Sequence, residues 1–384
     1  IERSRAGRQR DQIALRGKGV DLVYEHLQLG VLEKFVRIAA LLEDFHEGAQ
    51  ARERIAAVFQ KPFVLDDLRL DINARFGYTL LDGEPRAQEK LLREAELALF
   101  ENTSDDWTAY SIAIDHEVRQ RVEITRELRQ ALARNEFQLH FQPKVRLETG
   151  ELVASEALLR WYHPEHGLRP PVTFITIAEQ SQLIGPIGEW ALNEACRYLR
   201  EWQDARLDIV RVAVNVSVVQ FTMDDFPETV RSTLERHDVP PEALTLEITE
   251  SVFERESEIL NQQLRTLHDM GVRLSLDDFG TGYSSLLYLQ RYPFDEIKID
   301  QGFVRRMLED GYSRQIVSTV FGVAGALNAD VVAEGVESPA ERDCLLEIGC
   351  RIGQGYYYSM PLESEDFRWL LEQRSRLPIS RAGG

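Results

Sequence analysis

Beyond residue 136 the chain alternates short apolar runs with amphipathic stretches. The runs FQLHFQPKV (137–145), LVASEALLRW (152–161), IVRVAVNVS (209–217) and LTLEITES (244–251) read as buried strands. So do VRLSLDDFG (272–280), EIKID (296–300), DVVAEGVE (330–337) and RIGQGYYYS (351–359). Apolar positions at helical spacing lie between them, around Glu189–Trp202, Asp225–His237, Ser257–Met270, Ser313–Leu327 and Pro339–Ile348. Eight strands with mostly regular crossovers, over roughly 240 residues, predict an α/β fold of the (β/α)8 TIM-barrel type. The first two runs have no helix between them. Only Leu147–Glu151 separates them, and its Thr149-Gly150 step suits a hairpin. The first strand should therefore run antiparallel to the second, giving a modified barrel. A doubly wound open sheet is the rival, but it rarely sends ligands from so many strands to one point.

Upstream, Ile114, Val118, Val122, Leu128 and Leu132 roughly follow helical spacing within a charged background. This predicts a helix over 112–135, between an N-terminal piece (1–111) and a barrel (136–384), either a connecting or dimer-forming strut or a helix packed on its own domain. In the N-terminal piece, FVLDDLRLDINARFGYTLLD reads as a hairpin and EPRAQEKLLREAELALF as an amphipathic helix. The first forty residues show no clean strand order.

Composition narrows the partners. A net charge of −19 argues against a nucleic-acid polymer, whose backbone must be neutralised by the protein. A small anion remains open if metals and local cations receive it. No apolar run reaches the ~20 residues that span a bilayer, and IERSRAGRQR lacks a signal-peptide core. The expected location is the cytoplasm. The opening reads as a cut from a longer chain, leaving upstream membrane or sensor segments open. Cys196, Cys344 and Cys350 form no metal-spacing motif, which fits a reducing compartment.

The chemistry sits at the strand ends. Glu156, Asn215, Glu247, the pair Asp277-Asp278 and Glu334 each close or follow a predicted strand. Barrel enzymes place catalysis at that face. Five carboxylates gathered in a low-dielectric cleft repel one another strongly unless cations neutralise them. An all-oxygen set without histidine or cysteine selects Mg²⁺ or Mn²⁺. The surplus of acids fits two metals, the pair used in phosphodiester hydrolysis. Lys298, in an alternating strand, should point inward. Arg160, four residues after Glu156, should share its strand face. Each could hold a phosphate oxygen. Gly280-Thr281-Gly282 could form a closing loop, and Gln354 offers an amide to a nucleobase edge or a metal-held water. Alone, each feature has an ordinary structural explanation, such as a cap, a rim charge or a turn. Their joint placement on five strands does not. Trp190, Trp202 and Tyr356-Tyr357-Tyr358 are expected to serve packing.

These residues resemble the EAL-domain family of cyclic di-GMP phosphodiesterases, from about Glu136 to Leu371. The resemblance runs through Phe141-Gln142-Pro143, Glu156-Ala157-Leu158-Leu159-Arg160, Asn215-Val216-Ser217 and Glu247-Ile248-Thr249-Glu250. It continues through Asp277–Ser285, Lys298-Ile299-Asp300, Glu334-Gly335-Val336-Glu337 and Gln354-Gly355-Tyr356. The family hydrolyses cyclic di-GMP to linear pGpG with Mg²⁺ or Mn²⁺. By resemblance, Glu156, Asn215, Glu247 and Asp277 are metal ligands, and Asp278 and Glu334 serve the second metal or its water. Lys298 matches the lysine near the attacking water, and the base is left open between Glu334, Lys298 and hydroxide generated by the metals alone. Gln142, Leu158 and Arg160 match substrate-holding positions. Glu250 matches the anchor of the Asp277–Ser285 loop. Members that only bind the dinucleotide lose several of these acids, and none is lost here. A receptor with little turnover is the alternative. Thr176 and Met360 depart from the family's usual proline and basic residue.

The N-terminal piece resembles the back half of a GGDEF (diguanylate cyclase-like) domain at Gln60-Lys61-Pro62-Phe63, Phe76-Gly77-Tyr78 and Leu91–Phe100. The signature loop is absent, because Val36–Leu42 runs through its place, so the piece reads as a partial α/β cyclase-like domain, either degenerate or incomplete. This resemblance implies a regulatory role with GTP or another nucleotide as a ligand there, while the EAL resemblance implies a homodimer formed through the barrel.

Overall fold

The computed structural model describes six strands between residues 13 and 80, then residues 87–100, 107–207, 211–222, 225–255, 258–280, 291–374 and 376–377. Two compact units divide the chain, Ile1–Glu123 and Ile124–Gly384. Among the described residues, no helix is long and apolar enough to cross a membrane. Gln60, Lys61, Pro62 and Thr281–Ser285, singled out in the sequence, lie outside the described residues.

The first unit carries β1 (Ile13–Gly17), β2 (Val20–Tyr24), β3 (Phe35–Leu42), β4 (Phe63–Leu65), β5 (Leu68–Leu70) and β6 (Asn73–Leu80). Helix α1 (Gln88–Phe100) and β7 (Trp107–Ala109) follow. The sheet order is β1-β2-β3-β6-β7, with β3, β6 and β7 parallel and the earlier pairs antiparallel. The opening residues therefore do have a strand order. Their five-residue runs are too short for periodicity to reveal it. The expected hairpin holds only for β4 and β5, and β6 leaves it for the larger sheet. Gly77 is needed there. A Cβ would lie 2.2 Å from Leu99 N and 2.3 Å from Ala95 O, so α1 crosses β6 at that point. Thr79 Oγ1 donates to buried Glu94 at 2.9 Å across the same contact.

Helix α2 (Ile112–Ala131) ends earlier than expected. Its buried stripe is Ile124, Leu128 and Ala131, spaced i, i+4, i+7. Val122, expected to share that stripe, is 65% exposed.

The second unit contains β8 (Phe137–Arg146), β9 (Leu152–His163), β10 (Gly167–Arg169), α3 (Ile175–Gln180) and α4 (Ile184–Asp204). Next come β11 (Arg211–Val216), α5 (Phe226–His237), β12 (Leu244–Thr249), α6 (Glu258–Asp269), β13 (Arg273–Phe279) and β14 (Glu296–Ile299). It ends with α7 (Gln301–Arg306), α8 (Gly311–Leu327), β15 (Asp330–Ala333), α9 (Pro339–Ile348), β16 (Ile352–Gly353) and α10 (Ser364–Gln373). Strands β9, β11, β12, β13, β14, β15, β16 and β8 form a closed barrel, β8 pairing with β9 and β16. Both of those pairings are antiparallel and the others are parallel, as the hairpin at Thr149-Gly150 predicts. Gly150 adopts φ +67°, the left-handed turn conformation.

The last two strands are shorter than the apolar runs suggested. Glu334 lies just past β15, and only Ile352 and Gly353 of 351–359 are strand. After Gly353 the chain bonds instead to the loop after β15, with Val336 N donating to Gln354 O at 3.0 Å. Local chemistry sets the helix ends. Ser338 and Glu341 form a capping box with Pro339 in the first turn of α9, and Gly349 closes that helix at φ +104°.

The core fills the barrel and the ring around it. Phe141 stacks edge-on against Trp202 with centroids 5.1 Å apart. A second cluster joins Ile124, Leu128 and Ala131 to Phe137, Trp161, Phe174 and Ile187, so the end of α2 packs on the barrel's first hairpin. Trp190 and Trp202 pack as expected. Tyr357 and Tyr358 do too, but Tyr356 is 58% exposed.

Leu128→Ala should lower the barrel's stability by about 2–5 kcal/mol, the cost of truncating a fully buried leucine. Val122→Ala should cost less than about 0.5 kcal/mol. Urea midpoints followed by tryptophan fluorescence compare them. Equal losses would mean the 124–131 stripe does not anchor the helix.

Candidate active site

The barrel brings the predicted acids to one mouth. Glu156 lies on β9, Asn215 on β11, Glu247 on β12, and Asp277 and Asp278 on β13. Asn215 and Glu247 are direct cross-strand partners. Strand β13 breaks its register with β14 between Leu276 and Phe279, and Asp278 takes φ +56°. A non-glycine residue there costs about 1–2 kcal/mol. The break turns both neighbouring aspartates toward the mouth, where regular alternation would have sent one outward. Oxygens of Asp277, Asp278 and Glu334 lie within 4.8 Å of one another.

Lys298 stands at the centre. Its Nζ is within 2.7 Å of Glu334 Oε1, 2.8 Å of Glu247 Oε2, 3.0 Å of Asp277 Oδ2 and 3.3 Å of Glu156 Oε2. The side chain is 1% exposed, so it sits among the acids and not at the open mouth. Burial alone would lower its pKa, but the four acids hold it well above the lysine range. Burial pushes Glu334 up to about 8, with Asp277 and Glu156 adding repulsion against the pull of Lys298. Burial and Glu156 push Glu247 up to about 7. Burial opposes the charge on Glu156 too. There, Lys298, Lys144 and hydrogen bonds from Gln354 and Asn215 win, bringing it to about 2. Burial and neighbouring Asp277 raise Asp278.

The other predicted residues frame this cluster. Asn215 Nδ2 donates to Glu156 Oε1 at 2.7 Å. Gln354 Nε2 donates to Glu156 Oε2 at 2.7 Å and Glu334 Oε1 at 3.0 Å. Its Oε1 is buried with no hydrogen-bond partner. A buried orphan acceptor beside clustered carboxylates is what an oxygen-ligated cation or its water would complete. The residues therefore fit a hard divalent cation. Gln142 is the β8 partner of Glu156, and its Nε2 reaches Ser359 O at 3.5 Å. Leu158 and Arg160 continue the Glu156 face of β9 and are half-buried. Arg160 donates to Leu159 O at 2.9 Å. Glu250 Oε2 accepts from Gly280 N at 3.3 Å, so it ties down the start of the loop after Asp278.

Sequence reasoning missed a second charged layer. Lys144 Nζ donates to Glu247 Oε1 and Glu296 Oε1, each at 2.7 Å, and Ser275 Oγ donates to Glu296 Oε1 at 3.0 Å. The signal was present as parity. Lys144 shares a strand face with Gln142, and Glu296 shares one with Lys298.

The chain is similar to several known proteins. The EAL domain family model matches residues 125–361. The Pseudomonas aeruginosa bifunctional diguanylate cyclase/cyclic di-GMP phosphodiesterase MucR is 37% identical over 322 residues, covering 83% of this chain and 47% of that protein. The cyclic di-GMP phosphodiesterase NbdA of the same organism is 35% identical over 333 residues, 86% of this chain and 42% of NbdA. The chain thus spans less than half the length of these relatives. A solved MucR phosphodiesterase in complex with c-di-GMP superposes with TM-score 0.62 at 44% identity, covering 64% of this chain and 99% of that one. With the family model spanning most of the barrel and the acids converging at its mouth, this chain belongs to the EAL domain family.

Proposed function

We propose that this chain hydrolyses one phosphodiester of cyclic di-GMP to give linear pGpG, using two divalent cations. The convergence of four carboxylates on Lys298 Nζ, with Asp278 and the orphan Gln354 Oε1 beside them, carries this reading. Glu156, Glu247, Asp277, Asp278, Glu296 and Glu334 are six carboxylates against the two ammonium groups of Lys144 and Lys298. That surplus of negative charge suits a pair of divalent cations. The relatives named for cyclic di-GMP supply the substrate class.

Glu156, Asn215, Glu247 and Asp277 would hold one cation, and Asp277, Asp278 and Glu334 a second. Mg²⁺ and Mn²⁺ match such oxygen donors. When bound, the cations neutralise charge on the phosphoryl group and acidify water for attack. Arg160, at the mouth, orients a phosphate oxygen, and Gln142 and Leu158 line the same wall. Water adds across one P–O bond: its oxygen bonds to phosphorus and the 3′ oxygen leaves. Glu334, 2.7 Å from Lys298 Nζ, takes the water's proton, and the departing oxygen ends protonated. Glu250 fixes Gly280 and so the segment carrying Asp277 and Asp278.

Regulation enters through α2 in this reading. The helix crosses the boundary at residues 123–124, and its last turns pack on the first barrel hairpin. A nucleotide such as GTP at the N-terminal unit, and a cytoplasmic homodimer as the working form, follow from the family resemblance.

The deciding test is turnover of cyclic di-GMP, with pGpG resolved by chromatography. Mg²⁺ or Mn²⁺ should support product formation and EDTA should abolish it, whereas binding without product in either metal favours a receptor. Glu156→Ala and Asp277→Asn should each lower kcat by at least about 100-fold, the scale of losing one preorganised electrostatic contact. Their melting temperatures should remain those of a folded barrel, and full activity in either variant would sink the assignment. Arg160→Ala should raise KM by about 10-fold or more while kcat changes little. A fall in kcat at constant KM would move Arg160 from substrate binding to the chemical step.

A further inference from the structure

The proposed reaction leaves the second charged layer unused. Lys144 is 1% exposed, and its Nζ joins Glu247 Oε1 above to Glu296 Oε1 below. Branched apolar side chains usually fill such a barrel interior. A buried ion pair brings little net stability over apolar residues of the same size. Stability therefore does not explain why a lysine stands here.

The orientation of Glu247 does. Its Oε2 faces Lys298 Nζ at 2.8 Å, on the side where Glu156 Oε2 and Asp277 Oδ2 also converge. Its Oε1 is engaged from the other side by Lys144 at 2.7 Å. Lys144 is itself seated, because Glu296 Oε1 accepts from both Lys144 and Ser275. With Oε1 drawn to Lys144, the carboxylate cannot rotate without breaking a buried charged hydrogen bond, so the side to which Oε2 is turned is fixed. We infer that Lys144, seated on Glu296 and Ser275, is a positioning residue that reserves Oε1 of Glu247 and presents Oε2 to the active-site cation. The cation's role rests on the phosphodiesterase reading, while the strut itself rests on these contacts.

Lys144→Met alone would leave Glu296 buried without its cation, so the informative variant is Lys144→Met with Glu296→Gln. It removes both charges and keeps the volumes. Chelator-treated chain is titrated with Mn²⁺ by calorimetry, and melting temperature, kcat and KM for cyclic di-GMP are measured beside it. The double variant should stay folded and bind Mn²⁺ about 10- to 100-fold more weakly, the usual cost of losing a partner of a metal-holding group. Its kcat should fall at limiting Mn²⁺ and recover as Mn²⁺ is raised, with KM within about 2-fold of wild type. A folded double variant with wild-type Mn²⁺ affinity overturns the inference, whatever its stability. If the double variant fails to fold, Glu296→Gln alone decides. Loosening the seat of Lys144 should weaken Mn²⁺ binding by about 3-fold or more, and unchanged affinity overturns the inference. Wild-type chain that binds Mn²⁺ but makes no pGpG sinks the phosphodiesterase reading and leaves the strut to be judged on Mn²⁺ affinity. Wild-type chain that binds no Mn²⁺ overturns both.

Discussion

Everything at the barrel mouth depends on one constraint: like charges packed out of water must be neutralised. Among the described residues, six carboxylates gather around two buried ammonium groups. Burial holds Glu247 near 7 and Glu334 near 8, so these two carry the strain of the imbalance. Glu156 escapes it, because both lysines and two amides stabilise its charge. The site is thus uneven by construction. Lysine contacts and hydrogen bonds favour the charge on Glu156 and Glu296, while burial opposes it on Glu247 and Glu334.

The antiparallel first strand makes this balance possible. With β8 reversed, Gln142 lies opposite Glu156, and Lys144 lies two residues further along the same face. The hairpin at Gly150 thereby puts an amide beside the acids and a cation beneath them. The barrel closes on β16, a strand of two residues, and the chain then bends to place Gln354 between Glu156 and Glu334. Closure and site assembly use adjacent residues, Ile352-Gly353 and Gln354.

The barrel was legible because its strands are apolar runs separated by helical spacing, and the hairpin was legible from Thr149-Gly150. The acids were legible because each ends such a run. Lys144 was not, since a lysine two residues after Gln142 looks like any strand-end charge until Glu247 and Glu296 are placed around it. Val122 misled for the opposite reason. A valine at near-helical spacing counts toward a stripe in sequence, yet the stripe that packs is Ile124, Leu128 and Ala131. The short strands β1 and β2 were hidden because five residues carry too little pattern. For Lys144 the deciding partners, Glu247 and Glu296, lie far away in sequence.

The break at Asp278 shows how local strain serves the site. A left-handed aspartate is unfavourable alone, so its neighbours must hold it. Asp277 is held by its register with Thr249 on β12. Two residues past Asp278, Gly280 N is held by Glu250, which follows Thr249 directly. Both ends of the strained step are therefore fixed by adjacent residues of a single segment, the one that also carries Glu247. A shift of that segment would move a carboxylate beside Lys298 and the aspartate pair together. The sequence Glu247-Ile248-Thr249-Glu250 thus contributes an acid at one end and accepts a hydrogen bond from the chain just past Asp278 at the other.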